Sequence, residues 1–313
     1  MAEGAHRVGV RWDPRWAPDQ VGSIAPWVEE LGFDELWMIE DCFSGGGLTT
    51  SAAALACTER IAVGVGLLPA PVRNPAIAAM EIASLARMFP GRFMPAFGHG
   101  VDAWMRQIDE RPPRRLKLLE ETLVAVRDLL HGKRLNVSGS FVELSDVELE
   151  HKPAQPPPVM VGTTGPKGLA LAGRVADGIV IPEVAAPDAV RWARAQAGSG
   201  GDPGTVVVYS YLSLDEIAGE GVAAARPLVE RWLQSGDFPD MAEQAGLGRD
   251  GHGELDDQTL QAMAVVGDGE SGARTVSGLW AAGADSIVVL PRHDDSRRQI
   301  EMFAEQVLPA LSR

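Results

Sequence analysis

Eight short runs of strand-forming residues recur along this chain, at 8–12, 35–39, 60–68, 92–97, 159–161, 178–181, 206–212 and 286–290. Stretches of helical period separate most of them. The third run, RIAVGVGLL, is apolar on both faces, as expected of a strand that helices cover. Ile24, Trp27, Val28 and Leu31 share a helix face before Gly32. Asn74 and Pro75 supply a cap and a first residue ahead of Ala78, Ile82, Leu85 and Phe89. Leu116, Leu119, Leu123, Val126 and Leu130 step by three and four up to Gly132. Eight strands alternating with helices predict an α/β chain closed into a (β/α)8 TIM barrel rather than an open doubly wound sheet. Pro95 counts against a regular fourth strand.

Two segments break the alternation. Residues 134–150 break the pattern, and RLNVSGSFVEL at 134–144 alternates around Ser138-Gly139, the signal of a small hairpin before the fifth barrel strand. Residues 215–257 read as an insertion after the seventh strand, with Val222, Leu228, Val229, Trp232 and Leu233 on a helix and 246–257 as an exposed acidic loop. A length of 313 residues admits two modest domains or one large barrel, and the alternation favours a single domain over 1–313.

Composition narrows the function. A formal charge of −15 argues against nucleic acid, whose phosphates need clustered Lys and Arg. No run reaches the length of a membrane span, and the N-terminal MAEGAHRVGVRWD lacks an apolar signal region. Cys42 and Cys57 suit reduced thiols. A soluble, cytoplasmic protein with a small-molecule substrate is expected.

In a TIM barrel the active site collects at the C-terminal ends of the strands. The stretch 158–178, PVMVGTTGPKGLALAGRVADG, reads as strand, small-residue turn and a helix opening at Pro166. The amides of Gly165, Lys167 and Gly168 then lack intrahelical partners at the positive end of the helix. This is an anion site or an ordinary strand-to-helix turn. Glu40 and Asp41 offer a proton donor or acceptor, with one of the two pointing inward; alternatively Asp41 caps a turn in the glycine-rich loop 44–50, expected to be mobile. His99 is a mouth residue or a loop histidine with a local hydrogen bond, and the six histidines show no paired metal-ligand spacing. GHGVDA at 98–103 matches a dinucleotide fingerprint, but an amphipathic helix stands where its second strand belongs. Gly98 and Gly100 are therefore points of close backbone approach. With few acid–base groups and a phosphate cradle, the hard chemistry falls to a bound cofactor.

Four stretches then stand together: WMIED at 37–41, VGVGLLPAPVRNP at 63–75, GRFMPAFGHG at 91–100 and VGTTGPKGLALAGRVADG at 161–178. Over 8–311 the chain resembles the bacterial-luciferase-like superfamily of flavin- and deazaflavin-dependent oxidoreductases, most of all the branch of methylenetetrahydromethanopterin reductases and other F420 users. The resemblance implies a cofactor ring in the barrel mouth, backed by a non-proline cis peptide at the bond matching Gly66–Leu67. It implies that Thr163, Thr164, Gly165, Lys167 and Gly168 hold the cofactor phosphate. F420 is the implied cofactor, with FMN the alternative. Asp41, which stands where many relatives carry histidine, and His99 are the candidates for handling the proton that accompanies hydride. Trp12, Glu40, Phe43, Tyr209 and Tyr211 are the candidate substrate contacts. Val101 follows the G-x-G where sugar-phosphate dehydrogenases of the family carry glutamate, which argues against glucose-6-phosphate oxidation.

The expected reaction is hydride transfer between F420 and a small organic or biosynthetic substrate, reducing a C=C or C=N bond. The alternatives are a two-component monooxygenase fed with reduced FMN by a separate reductase, and a non-catalytic flavin-binding protein. The resemblance also implies a homodimer packed through barrel helices.

Overall fold

The computed structural model describes residues 6–183 and 185–311. The first five residues of the N-terminal stretch expected to carry no signal lie outside that range. Strands β1 (Arg7–Arg11), β2 (Glu35–Met38), β3 (Ala62–Pro69) and β4 (Phe93–Gly98) pair in parallel in sequence order. The expected hairpin follows as β5 (Leu135–Ser138) and β6 (Glu143–Val147), paired antiparallel. Then come β7 (Met160–Gly162), β8 (Gly178–Ile181), β9 (Thr205–Leu214), β10 (Val265–Gly267) and β11 (Ser286–Pro291). The order β9-β11-β1-β2-β3-β4-β7-β8 closes on itself through β8 and β9. The result is the (β/α)8 barrel that the alternation predicts.

Strand β10 has no counterpart among the eight sequence runs. Its three residues pair with Leu212, Ser213 and Leu214 of β9, beyond the point where β8 stops at Val208. Pro95 sits inside β4 after all. Pairing with β7 begins only at Ala96, so the missing N–H opens no gap on that side.

Alternate residues feed two cores. Val8, Val10, Trp12, Leu36 and Met38 pack outward against the helices. Trp37, Met94, Ala96, Met160, Val207, Tyr209 and Val288 fill the barrel. Among the latter lies a fully buried carboxylate, Glu35. It pairs with Arg7 at 2.9 Å and accepts hydrogen bonds from Trp37 Nε1 at 2.7 Å and Ser286 Oγ at 2.8 Å. Burial of that charge is tolerable because both oxygens are engaged. The Trp37 ring presses so closely on β3 that a Cβ at Gly64 would stand 2.4 Å from it.

The insertion has a core of its own. Its helices Ala218–Gln234 and Pro239–Gln244 pack with the following helix Asp257–Met263 through Val222, Val229, Leu233 and Met263. Leu247 is 1% exposed within that core, so the segment 246–257 is not the wholly exposed loop its acidity suggests. The glycine-rich loop 44–50 also differs from expectation. A helix, Gly47–Ala56, already begins inside it, and a Cβ at Gly47 would stand 2.6 Å from Val65. Among the described residues no helix is long and apolar enough to cross a membrane.

Candidate active site

A cavity of about 710 Å³ opens at the C-terminal ends of the strands. One side is made of β3, β4, β7 and the turn after β7. The helix Pro166–Val175 starts there behind Gly165, and no side chain caps it. The first amides of this helix are therefore free to receive an anion. Gly168 makes the turn possible: a Cβ there would lie 2.0 Å from Thr163 Oγ1. Thr163, Thr164, Gly165 and Gly168 all line the cavity. Lys167 is exposed and does not, because it lies on the outer face of the first turn.

The Gly66–Leu67 peptide is cis and lies in a register shift between β3 and β4. The Leu67 side chain fills a notch between β4 and β7. Cβ atoms at Gly98 and Gly162 would stand 2.6 and 2.3 Å from its Cδ1. Gly98 is thus buried behind Leu67 rather than open to the cavity, whereas Gly66, Leu67, His99 and Gly100 line it. Gly100 has a φ of +71°, the left-handed region that glycine adopts without penalty. Burial, reinforced by the Arg115 charge, holds the His99 imidazole below its usual pKa.

The opposite side belongs to β1, β2, β8 and β9, and here side chains do the lining. Glu40 and Asp41 divide their roles. Glu40 Oε2 accepts from Gly47 N at 2.9 Å and from Arg73 Nη2 at 2.7 Å, so it caps the helix Gly47–Ala56. The capping role imagined for Asp41 is taken by its neighbour. Asp41 faces the cavity, and burial pushes its pKa up, with Glu183 adding to the rise and Arg11 opposing it. Tyr209 is 6% exposed and meets Trp37 edge to face with ring centroids 5.8 Å apart. Its hydroxyl lies over Gly66, where a Cβ would stand 2.4 Å away. Burial keeps that phenol protonated. Tyr211, expected to contact substrate, is not in the lining: it lies between the barrel interior and the insertion core, and burial pushes its pKa up to about 12.

Trp12 and Phe43 are not brought to the cavity. Trp12 is on the outward face of β1, donating from Nε1 to Trp16 O at 3.2 Å. Phe43 follows a second non-proline cis bond and is 69% exposed, pointing away from the lining. Arg11 and Glu183, at strand ends but without an assigned role from sequence, line the cavity, as do Asp237 and Phe238, which sequence reasoning missed and which reach it from the insertion. In the structure Arg7, Gly9 and Arg11 alternate with the outward Val8, Val10 and Trp12, which turns Arg11 inward.

Among the described residues, three buried polar atoms in this lining have no hydrogen-bond partner: Arg11 Nε, His99 Nδ1 and Tyr209 Oη. Buried polar groups are satisfied as a rule, and unsatisfied ones in a cavity wall mark where a ligand belongs. A free helix N-terminus, a glycine-formed notch and orphaned polar atoms fit a phosphate-bearing ring cofactor with a small substrate beside it.

Fold and site therefore define a TIM barrel with a ligand cavity at its mouth. The family model for luciferase-like monooxygenases matches residues 7–286, and the chain belongs to that family. It is 30% identical over 247 residues to 5,10-methylenetetrahydromethanopterin reductase of Methanolobus tindarius, covering 76% of this chain and 74% of that protein. It is 28% identical over 323 residues to the F420-dependent hydroxymycolic acid dehydrogenase of Mycobacterium tuberculosis, covering 99% and 83%. Among solved structures, the F420-dependent tetrahydromethanopterin reductase of Methanopyrus kandleri superposes with a TM-score of 0.82 at 20% identity, over 99% of this chain and all of that one. A Pseudomonas putida Baeyer-Villiger monooxygenase component in complex with FMN superposes with a TM-score of 0.76 at 17% identity, over 98% and 99% of the two chains.

Proposed function

We propose that this chain is an F420-dependent oxidoreductase that transfers hydride between the deazaflavin and a small organic or biosynthetic substrate, reducing a C=C or C=N bond. The observation that carries the reading is the uncapped helix start at Gly165 beside the Gly66–Leu67 bulge, both in one cavity. The F420-dependent relatives named above support the choice of cofactor. Thr163, Thr164 and the amides of Lys167 and Gly168 would hold the phosphate, and Gly66 and Leu67 would back the ring. When bound, F420 supplies the hydride. The protein supplies position, exclusion of water and a proton, for which Asp41 is placed by its cavity-facing carboxyl, whose pKa burial raises. We place the working protein in the cytoplasm as a homodimer, reduced F420 reaching it from a separate reductase.

Titration of the purified protein with oxidised F420 and, separately, FMN tests the reading by fluorescence. Tighter binding of F420 is expected. Preference for FMN, with oxygen uptake in the presence of reduced FMN, would replace it with the monooxygenase. Binding of neither would overturn the cradle assignment.

A further inference from the structure

Two of the orphaned atoms are hydrogen-bond donors on the same side of the cavity. Arg11 ends β1 and Tyr209 lies on β9, and one strand, β11, separates the two in the barrel. Arg11 is near enough to Tyr209 for its charge to act on the phenol, and neither Nε nor Oη meets an acceptor. Tyr209 is held rigidly. Its ring packs on Trp37, Trp37 is tied to Glu35, and its hydroxyl is confined over Gly66. Two buried donors without an acceptor, in the wall of one cavity, form a seat for an oxygen atom.

The charge of that oxygen follows from the neighbours. Asp41 and Glu183 line the same side and already balance Arg11. A carboxylate, with its full charge localised on two oxygens, would be repelled by these acids, whereas a neutral carbonyl, or an oxyanion whose charge is delocalised as in an enolate or a nitrophenolate, is held by the two donors. Negative charge that develops on the oxygen only during reaction is what such donors favour most.

We propose that Arg11 and Tyr209 form an oxyanion seat, and that the reducible bond of the substrate is a C=C conjugated to a carbonyl held in it. The inference rests on the hydride transfer proposed above. Hydride from reduced F420 forms a C–H bond at the β carbon. The C=C π pair shifts toward the carbonyl oxygen, giving an enolate that Arg11 and Tyr209 stabilise. The enolate collapses as the α carbon takes a proton from Asp41, which water then replenishes. The product is the saturated ketone, and F420 is left oxidised, its ring N–H proton released to water and so balancing the proton that water returns to Asp41.

The seat is tested without turnover by adding 4-nitrophenol to the protein and following its phenolate absorbance against pH. The wild-type seat should raise the bound phenolate-to-phenol ratio by about tenfold, and Arg11→Met or Tyr209→Phe should abolish the rise. With 2-cyclohexen-1-one as substrate, Tyr209→Phe should lower kcat by roughly 10²-fold and leave KM within a few-fold. Retained F420 binding by each variant excludes misfolding. Wild-type protein that binds F420 yet leaves the nitrophenol titration unmoved overturns the seat alone. Protein that moves the titration but binds no F420 overturns the cofactor reading and leaves the seat standing.

Discussion

The two sides of the cavity are built from different materials. The side formed by β3, β4 and β7 presents backbone: a cis bulge, three glycines whose missing Cβ atoms make room for Leu67 and Thr163, and the open start of a helix. The side formed by β1, β2, β8 and β9 presents ionisable side chains: Arg11, Asp41, Glu183 and Tyr209. Backbone geometry suits a ligand that is the same in every turnover, because it recognises shape and an anion. Side chains suit the part of the reaction where charge and protons move. The contrast teaches that binding and chemistry can be separated by mutation in this protein.

The largest separation is expected at Asp41. Asp41→Asn should lower kcat by roughly 10²- to 10³-fold and leave the Kd for F420 unchanged, measured by steady-state kinetics and fluorescence titration. A parallel loss of both would break the contrast. Gly168→Val strikes the other side, driving a side chain into Thr163 and closing the phosphate cradle. The loss of charge-assisted hydrogen bonds worth about 2–3 kcal/mol should raise the F420 Kd by about 10²-fold, with 4-nitrophenol binding retained. Phe238→Ala removes an aromatic wall contributed by the insertion and otherwise stacked on Trp232. It should raise the substrate KM about tenfold, with kcat and F420 binding little altered. Lys167→Ala should weaken F420 by only about two- to fivefold and in a salt-dependent way, since the side chain is exposed.

A last effect is one of stability. The folded state raises the pKa of Asp41 through burial, so folded protein holds that proton more tightly than unfolded chain does. The stability this group allows is complete below the usual carboxylate range and falls as pH rises through the raised value. Asp41→Asn escapes that fall. Its Tm should match wild type in acid and exceed it at neutral pH, as differential scanning fluorimetry across pH would show.

How much of this was legible in the sequence follows from the same contrast. The barrel was legible because eight apolar runs and their helices carry period and punctuation, as at Asn74, whose Oδ1 accepts from Ala76 N at 2.9 Å. The glycine side was legible because its message is a chain-local pattern, GTTGPKG. The ionisable side was legible only in part: Asp41 and Tyr209 could be assigned from the strand ends, Arg11 and Glu183 could not. In a barrel both faces of a strand are buried, so alternation does not say whether Arg11 or Trp12 turns inward, and a bulky Trp12 was the wrong choice. Asp237 and Phe238 reach the cavity through the packing of an insertion, which no local pattern announces. Strand β10 escaped notice because three residues, VVG, are too short for periodicity to register.

The pairing of β10 with the far end of β9 has a consequence for how such a chain can be altered. Leu214 and Gly267 are partners in the sheet, and residues 215–264 run between β9 and β10. The excursion between them leaves and re-enters the fold at one clasp, and each doubling of its length adds only about 0.6 kcal/mol of closure entropy. It is therefore a cassette. A segment of different length and composition can be exchanged there, bringing new residues to the place of Phe238, while the glycine-formed notch across the cavity stays as it is.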